Sequence, residues 1–318
     1  MFKYMTGIKP TGEFHLGNYI STILPTLDRK QETLYLIADL HALASDTYKD
    51  IYKNVEHLIR VLHSFEIYNI FIQSQIQQIT WLNWILLNFT SKGILNRAHA
   101  YKVLSEENLE KEKDQDKGIF AGLYTYPVLM SADLTIFDCD YVFIGPDQVQ
   151  HIEMAKEIVN KFNYVYKEDI LKVPSPIICE NSLLGYDGRK MSKSYNNTIP
   201  LMCSEKKLKK YIFSIKTNSK NIGERKEWNE SPITTVYESF ADKEQCAELK
   251  YNMLKGISWR DVKDETFNVV NDKIKLARKR YFDYKSSDYR VYIDFDIMKM
   301  EELVDEKILK IKKKIGFY

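Results

Sequence analysis

The stretch from Thr6 to Asn18, Thr-Gly-Ile-Lys-Pro-Thr-Gly-Glu-Phe-His-Leu-Gly-Asn, restricts the fold more than any other part of this 318-residue chain. Phe2, Tyr4 and Met5 supply the apolar content of a short strand, Gly7, Pro10 and Gly12 break it, and Tyr19, Ile20, Ile23 and Leu24 follow at helical spacing. A glycine turn from strand to helix gathers free N–H groups and the positive end of a helix dipole at a strand end. In α/β sheets that is where phosphates and nucleotides bind. Gly17 leaves room for a flat ring against the backbone, and His15 is a donor within reach of a phosphate oxygen. Taken alone, the pattern fits an ordinary strand-to-helix loop with a surface histidine equally well.

The segments that follow alternate in period. Thr33 to Ala38 is a continuous apolar run, as expected of a buried parallel strand, and ends at Asp39-Leu-His-Ala42. Val55, Leu58, Ile59, Leu62 and Phe65 form a helix face within 52–66, and 70–73 is the next short strand. Residues 81–89 read as a helix, and 105–117 as a densely charged solvated helix or mobile insertion. Residues 126–137 read as a helix with Pro127 in its first turn, where the missing N–H costs nothing. A strand at 141–144 turns through Gly145 to Gln148 into a helix carrying His151, Met154, Ile158 and Val159, and Pro174 and Pro176 bracket a stiff link. The alternation predicts an α/β fold with a doubly wound parallel sheet.

Beyond Pro200 helical periodicity takes over. Leu208, Tyr211, Ile212 and Ile215 share one face opposite Lys206, Lys207, Lys209 and Lys210. Ser258 and Asp261 have the spacing of a capping box before a long helix, and Ile308, Ile311 and Ile315 predict a final, lysine-rich one. The expected organisation is an α/β domain over 1–201 and a smaller all-helical domain over 202–318.

Composition narrows the function classes only slightly. Forty-six basic residues against 44 acidic ones neither demand nor exclude nucleic acid, so an RNA site has to come from local patches. Cys139, Cys179, Cys203 and Cys246 are far apart with no C-x-x-C pair, which argues against a metal site built from local ligands and for thiols in a reducing compartment. No apolar leader precedes the first glycine and no run of about 18 apolar residues occurs, so the expected location is the cytoplasm and no membrane partner is expected.

A second stretch, Asp187-Gly-Arg-Lys-Met-Ser-Lys-Ser194, sets two lysines three apart on a glycine-flanked loop. His15-Leu-Gly-Asn18 and Lys190-Met-Ser-Lys-Ser194 together resemble the two signature motifs of class I aminoacyl-tRNA synthetases, in the right order. The intervening Gly122 to Asp133 and Gly145 to His151 resemble the tryptophanyl branch. The likeness runs to about Pro200 and fades in the helical part.

The resemblance implies a Rossmann-like catalytic domain in which ATP is a substrate, Mg²⁺ arrives with it, and no metal is bound by the protein alone. His15, Asn18, Lys190 and Lys193 are its expected catalytic residues. The ATP site is expected to include Lys9, Pro10, Thr11, Gly17, Asn18, Gly145, Pro146, Asp147, Leu183, Lys190, Met191, Ser192, Lys193 and Ser194. Asp133 is expected to accept the indole N–H, Tyr126 and Gln148 to hold the ammonium group, and Met130, Met5, Gly7 and His41 to pack around the tryptophan. Lys111 or Lys113 of the charged insertion is a further candidate for ATP contact. Expected partners are tRNA(Trp), L-tryptophan and a second copy of the chain, with the last helix packing back on the catalytic domain.

Four positions depart from the family pattern: Lys9 stands where Gln or Arg is common, Pro146 where Glu or Arg is, Asn18 where the class motif ends in His, as is common in the tryptophanyl branch, and Met5 where an aromatic is frequent. Two other readings are a tyrosyl-tRNA synthetase-like enzyme, which Met130 and the lysine-loop sequence disfavour, and a non-catalytic RNA-binding paralogue, disfavoured because His15, Gly17, Lys190 and Lys193 are all kept. An adenylate-forming enzyme with no tRNA substrate is a third; the basic helices around Lys206 and Lys312 speak against it.

Overall fold

The computed structural model describes residues 2–44, 50–180, 183–284 and 286–317. Five strands, β1 (Tyr4–Ile8), β2 (Thr33–Ile37), β3 (Ile70–Ile72), β4 (Tyr141–Ile144) and β5 (Ser175–Ile178), form one parallel sheet in the order β3-β2-β1-β4-β5. Helices connect them: α1 (Leu16–Asn18), α2 (Asp39–Ala42), α3 (Ile51–Ser64), α4 (Gln77–Leu87), α5 (Lys92–Asn96), α6 (His99–Glu110), α7 (Ala121–Ile136) and α8 (Val149–Tyr166). The chain then continues as α9 (Glu205–Ser214), α10 (Pro232–Phe240), α11 (Lys243–Leu254), α12 (Trp259–Asp283) and α13 (Ser286–Ile315).

Successive strand side chains point to opposite faces, and the two faces carry separate cores. Tyr35, Ile37, Ile70 and Ile72 join Leu58, Ile59 and Leu62 of α3, and this cluster runs on without a break through Ile212, Val236, Leu249, Val262 and Ile274 of the later helices. Leu34, Leu36, Phe71 and Val142 face the other way, onto α4, α7 and α8. Residues 202–318 therefore straddle the sheet: α12 lies along α3 on one side, while α13 packs against β3 and α4 on the other.

Several elements differ from the sequence reading for identifiable reasons. Gly7 does not break β1 but pairs with Leu36 inside it, a place where a strand glycine admits close approach. The helix after the turn begins at Leu16, three residues before the apolar spacing, because His15 caps it. It continues as a π segment (Tyr19–Ile23) and a 3₁₀ segment (Leu24–Arg29). The link around Pro176 is strand β5: on an edge strand proline needs only to turn its missing N–H outward, and the Ser175 and Cys179 amides flanking it donate to Asp140 and Ile144. Of the charged stretch 105–117, only the part to Glu110 is the solvated helix that is one of its two readings, as the end of α6, and the remainder is turns.

Helix α7 starts at Ala121, so Pro127 lies in its interior rather than its first turn, and the Leu123 carbonyl has no i+4 amide to accept from. Ser258 Oγ does cap α12, accepting from Asp261 N at 3.0 Å, but Asp261 is too short to complete the box and meets the Ser258 hydroxyl instead.

Candidate active site

The strand order reverses between β1 and β4, and a crevice opens beyond the carboxyl ends of strands at such a switch point. A cavity of about 870 Å³ lies there, bounded by both glycine turns, α7 and the lysine loop.

At the end bounded by the first glycine turn, His15 Nδ1 accepts from Asn18 N at 3.3 Å and the Asn18 side chain accepts from His15 N at 3.2 Å, a reciprocal cap that fixes the start of α1. With Nδ1 so engaged, Nε2 is the atom left to meet a ligand. Burial pushes the imidazole down to about 4, and the Lys193 charge adds to that, so His15 is neutral at physiological pH. A Cβ on Gly17 would sit 3.0 Å from the His15 ring and crowd the imidazole out of its capping position, whereas its 3.5 Å approach to Met191 Sδ is ordinary contact.

The lysine loop is itself held shut at its base. Met191 N donates to Leu183 O and Gly185 N to Arg189 O, both at 2.8 Å. Asn197, fully buried, accepts from Ser192 N at 2.8 Å and donates to the Asp187 carboxylate at 2.8 Å and to Lys190 O at 3.2 Å. Ile199 O and Leu201 N then pair with Leu16 and Phe14 at 2.9 Å. This brings Lys193 across the cavity, where its Nζ donates to Thr11 O at 2.7 Å. Two segments 182 residues apart in sequence close over one space.

Helix α7 presents Tyr126, Met130 and Asp133 on one face into the cavity. Asp133 is 2% exposed. Gln73 Nε2 donates to both of its oxygens, at 2.8 and 2.9 Å, and His41 Nε2 to one of them at 3.0 Å. Burial raises its pKa while the His41 and Gln73 bonds pull the other way. The Gln73 carbonyl in turn accepts from His41 N at 3.3 Å, which fixes the amide's orientation. A second string of bonds runs from the Tyr126 hydroxyl to His151 Nε2, from His151 Nδ1 to Gln148 Oε1 at 3.1 Å, and from Gln148 Nε2 to Asp147 Oδ2 at 2.6 Å. At the mouth of the cavity, a Cβ on Gly145 would lie 2.6 Å from Asp147 Oδ1, so the Asp147 carboxylate can fold back over the turn only above a glycine.

Residues 1–274 match the family described as tRNA synthetases class I (W and Y). The chain belongs to that family. It is 39% identical over 292 residues to a tryptophan–tRNA ligase of Xanthomonas campestris pv. campestris, covering 88% of this chain and 67% of that protein. A crystal structure of tryptophanyl-tRNA synthetase from Campylobacter jejuni, complexed with ADP and tryptophan, superposes with a TM-score of 0.84 at 33% identity, over 98% of this chain and 99% of that one. A tyrosyl-tRNA synthetase from Archaeoglobus fulgidus shares the fold at a TM-score of 0.63 and 18% identity, covering 88% of this chain and 90% of that one.

Of the residues expected in this class I synthetase site, Lys9, Thr11, His15, Gly17, Asn18, Gly145, Pro146, Asp147, Leu183, Lys190, Met191, Ser192 and Lys193, expected at ATP, and Met5, Gly7, His41, Tyr126, Met130, Asp133 and Gln148, expected at tryptophan, all line the one cavity. Pro10 and Ser194 do not line the cavity: Pro10 is buried in the turn, and the Ser194 hydroxyl bonds to Ser192 on the exposed side. Lys111 and Lys113 stand apart from it as well, Lys111 pairing with Glu107 one helical turn away at 3.1 Å. Sequence reading missed Gln73, His151 and Asn197. The glutamine follows an apolar strand and the asparagine a loop, and neither position carries a local pattern; His151 was read only as part of a helix face.

Proposed function

We infer that this chain is a tryptophan–tRNA ligase: it joins L-tryptophan to ATP, giving tryptophanyl-adenylate and pyrophosphate, and passes the aminoacyl group to tRNA(Trp). The observation that carries this is the pairing, within one cavity, of the Lys193 ammonium closed onto the Thr11 turn with a buried carboxylate, Asp133, at the opposite end. The relatives' activity and the ligands of the Campylobacter structure agree with it.

Adenylate formation is an in-line attack of one anion on another, so the protein has to supply positive charge and donors that strengthen as charge builds on pyrophosphate. Lys190 and Lys193 take that role on the lysine loop, with His15 Nε2 and the Asn18 amide on the opposite side of the triphosphate. Gly17 and Leu183 border the adenine, and Asp147 reaches the ribose. Mg²⁺ would enter with the nucleotide, as the family's chemistry implies.

Asp133, held in place by Gln73 and His41, accepts the indole N–H. Met130 and Met5 flank the ring, and Tyr126 and Gln148 receive the ammonium group. A buried acceptor of this kind rejects side chains lacking the donor by roughly 10⁴ to 10⁵, which removes the need for editing.

Residues 1–201 serve as the catalytic domain and 202–318 as the tRNA-binding region, with a homodimer as the working unit. The final helix contributes packing, since Lys307 bonds to Thr135 O, Lys310 and Lys314 pair with Glu168, and Lys312 lies 5.5 Å from the Trp81 ring. Lys310, Lys313 and Lys314 are nevertheless exposed and stay within the phosphate patch that the sequence pointed to. The exposed Lys206, Lys207 and Lys210 of α9 are better placed to meet phosphates. Four thiols with no disulfide fit a cytoplasmic location, and among the described residues no helix is long and apolar enough to cross a membrane.

The test is pyrophosphate exchange with tryptophan and tyrosine in parallel. Exchange driven by tryptophan is expected, and exchange driven only by tyrosine overturns the assignment.

A further inference from the structure

Immediately before His15, the Phe14 peptide is gripped on both sides. Its carbonyl accepts from Leu201 N at 2.9 Å, in the strand-like segment that leaves the lysine loop. Its N–H donates not to any backbone group but to His57 Nε2 at 3.2 Å, a side chain of α3. The other ring nitrogen, Nδ1, bonds to the Tyr281 hydroxyl at 2.8 Å, near the end of α12. A main-chain N–H can only donate, so Nε2 accepts and the proton of the neutral ring sits on Nδ1, donating to Tyr281.

One imidazole thus spans 224 residues of sequence between the catalytic sheet and the helical region. Tyr281 is itself fixed: Arg60 donates to its carbonyl at 3.0 Å and its guanidinium lies 4.4 Å from the ring centre. Arg280 next to it pairs with Glu66 at 2.8 Å and reaches Ser64 O at 3.3 Å. Burial, with the charges of Arg60 and Lys193, pushes His57 down to about 4, which keeps the acceptor nitrogen free of a proton.

We propose that His57 is a positioning residue for nucleotide binding: through the Phe14 amide it sets the His15 turn against α12, so that the seating of the helical region fixes the geometry of the ATP end of the cavity. His57 does not line the cavity and touches no expected substrate position, so it acts only through the turn. This rests on the reading of His15 to Asn18 as the ATP site.

The experiment is pyrophosphate exchange with the full chain, varying ATP and tryptophan separately, for His57→Phe, His57→Gln, Tyr281→Phe and the double variant His57→Phe/Tyr281→Phe. His57→Phe should raise the KM for ATP about fivefold or more, the fold-change of one lost hydrogen bond, with the KM for tryptophan within about twofold. His57→Gln keeps an acceptor near Nε2 and should recover most of the loss. Tyr281→Phe should shift the KM for ATP in the same direction by less, and the double variant should match His57→Phe alone, because the hydroxyl acts only through the ring.

An unchanged KM for ATP, an equal rise for both substrates, or no recovery with glutamine overturns the proposal. If His57→Phe does not fold, the Tyr281→Phe and His57→Gln pair decides by the same split. Wild-type protein that shows no exchange with tryptophan defeats the reading of the cavity instead.

Discussion

Replacing Asp133 by asparagine keeps the volume of the side chain and removes its charge. In the native site Gln73 Nε2 touches both carboxylate oxygens, and the glutamine cannot flip because its carbonyl accepts from His41 N. An asparagine therefore has to aim its NH₂ either at the Gln73 donor or at the indole N–H, and one acceptor position is lost whichever way it turns. Hydrogen bonds to a charged group contribute about 1.5–3 kcal/mol, so kcat/KM for tryptophan should fall roughly 10- to 150-fold. The KM for ATP should move by less than about twofold, because the nucleotide end shares no hydrogen bond with Asp133. The assay is pyrophosphate exchange with tryptophan and with an isosteric analogue whose ring nitrogen is replaced by sulfur. Wild type should discriminate strongly against the analogue and Asp133→Asn hardly at all. A variant that still rejects the analogue, or that loses ATP and tryptophan alike, refutes the assignment of Asp133 as the indole acceptor.

Lys193→Ala should slow adenylate formation on the order of a hundredfold while tryptophan affinity, read by intrinsic fluorescence, stays near wild type; an unaffected rate removes the lysine from the mechanism. His15, His57 and His63 are all pushed down to about 4 by burial, below the 6.5 of the unfolded chain. Their contribution is fully present above pH 6.5 and is lost as pH falls from there toward 4. With three protons taken up on unfolding, urea titrations should lose up to roughly 4 kcal/mol of stability per pH unit below 6, and a flat profile between pH 7 and 5 contradicts the burial of these rings. Lys307→Met keeps the apolar stem but leaves the Thr135 carbonyl without its ammonium partner, and should cost about 1–3 kcal/mol in urea unfolding; no change would mean that Lys307 does not anchor α13.

Legibility followed the physics of each element. Strands β2 and β4 were plain because a buried parallel strand is an unbroken apolar run. The face of α7 carrying Tyr126, Met130 and Asp133 was plain because the spacing of three and four residues is intrinsic to a helix. Strand β5 was hidden by prolines whose tolerance depends on lying at an edge, a fact of topology rather than of local sequence. The start of α7 was misplaced because Pro127 reads as a first-turn residue unless the tertiary setting excuses it. At the site, the two motif loops were visible as glycine and lysine patterns. The side chains that hold them, Asn197 and His57, and Gln73, which holds Asp133, were not, since an amide or imidazole becomes a clamp only when a distant group arrives beside it.

The position of α13 has a consequence for how the protein is made. Met300, Val304, Ile308 and Ile311 fill the cluster that Leu34, Phe71, Leu82 and Ile136 began. While this chain is being translated, every residue of the two motif loops is synthesised more than a hundred positions before Met300 closes the β3 edge of that face, the rest of which α4, α7 and α8 already cover. A nascent polypeptide halted between the two events leaves that apolar edge open to solvent, the kind of surface that chaperones hold.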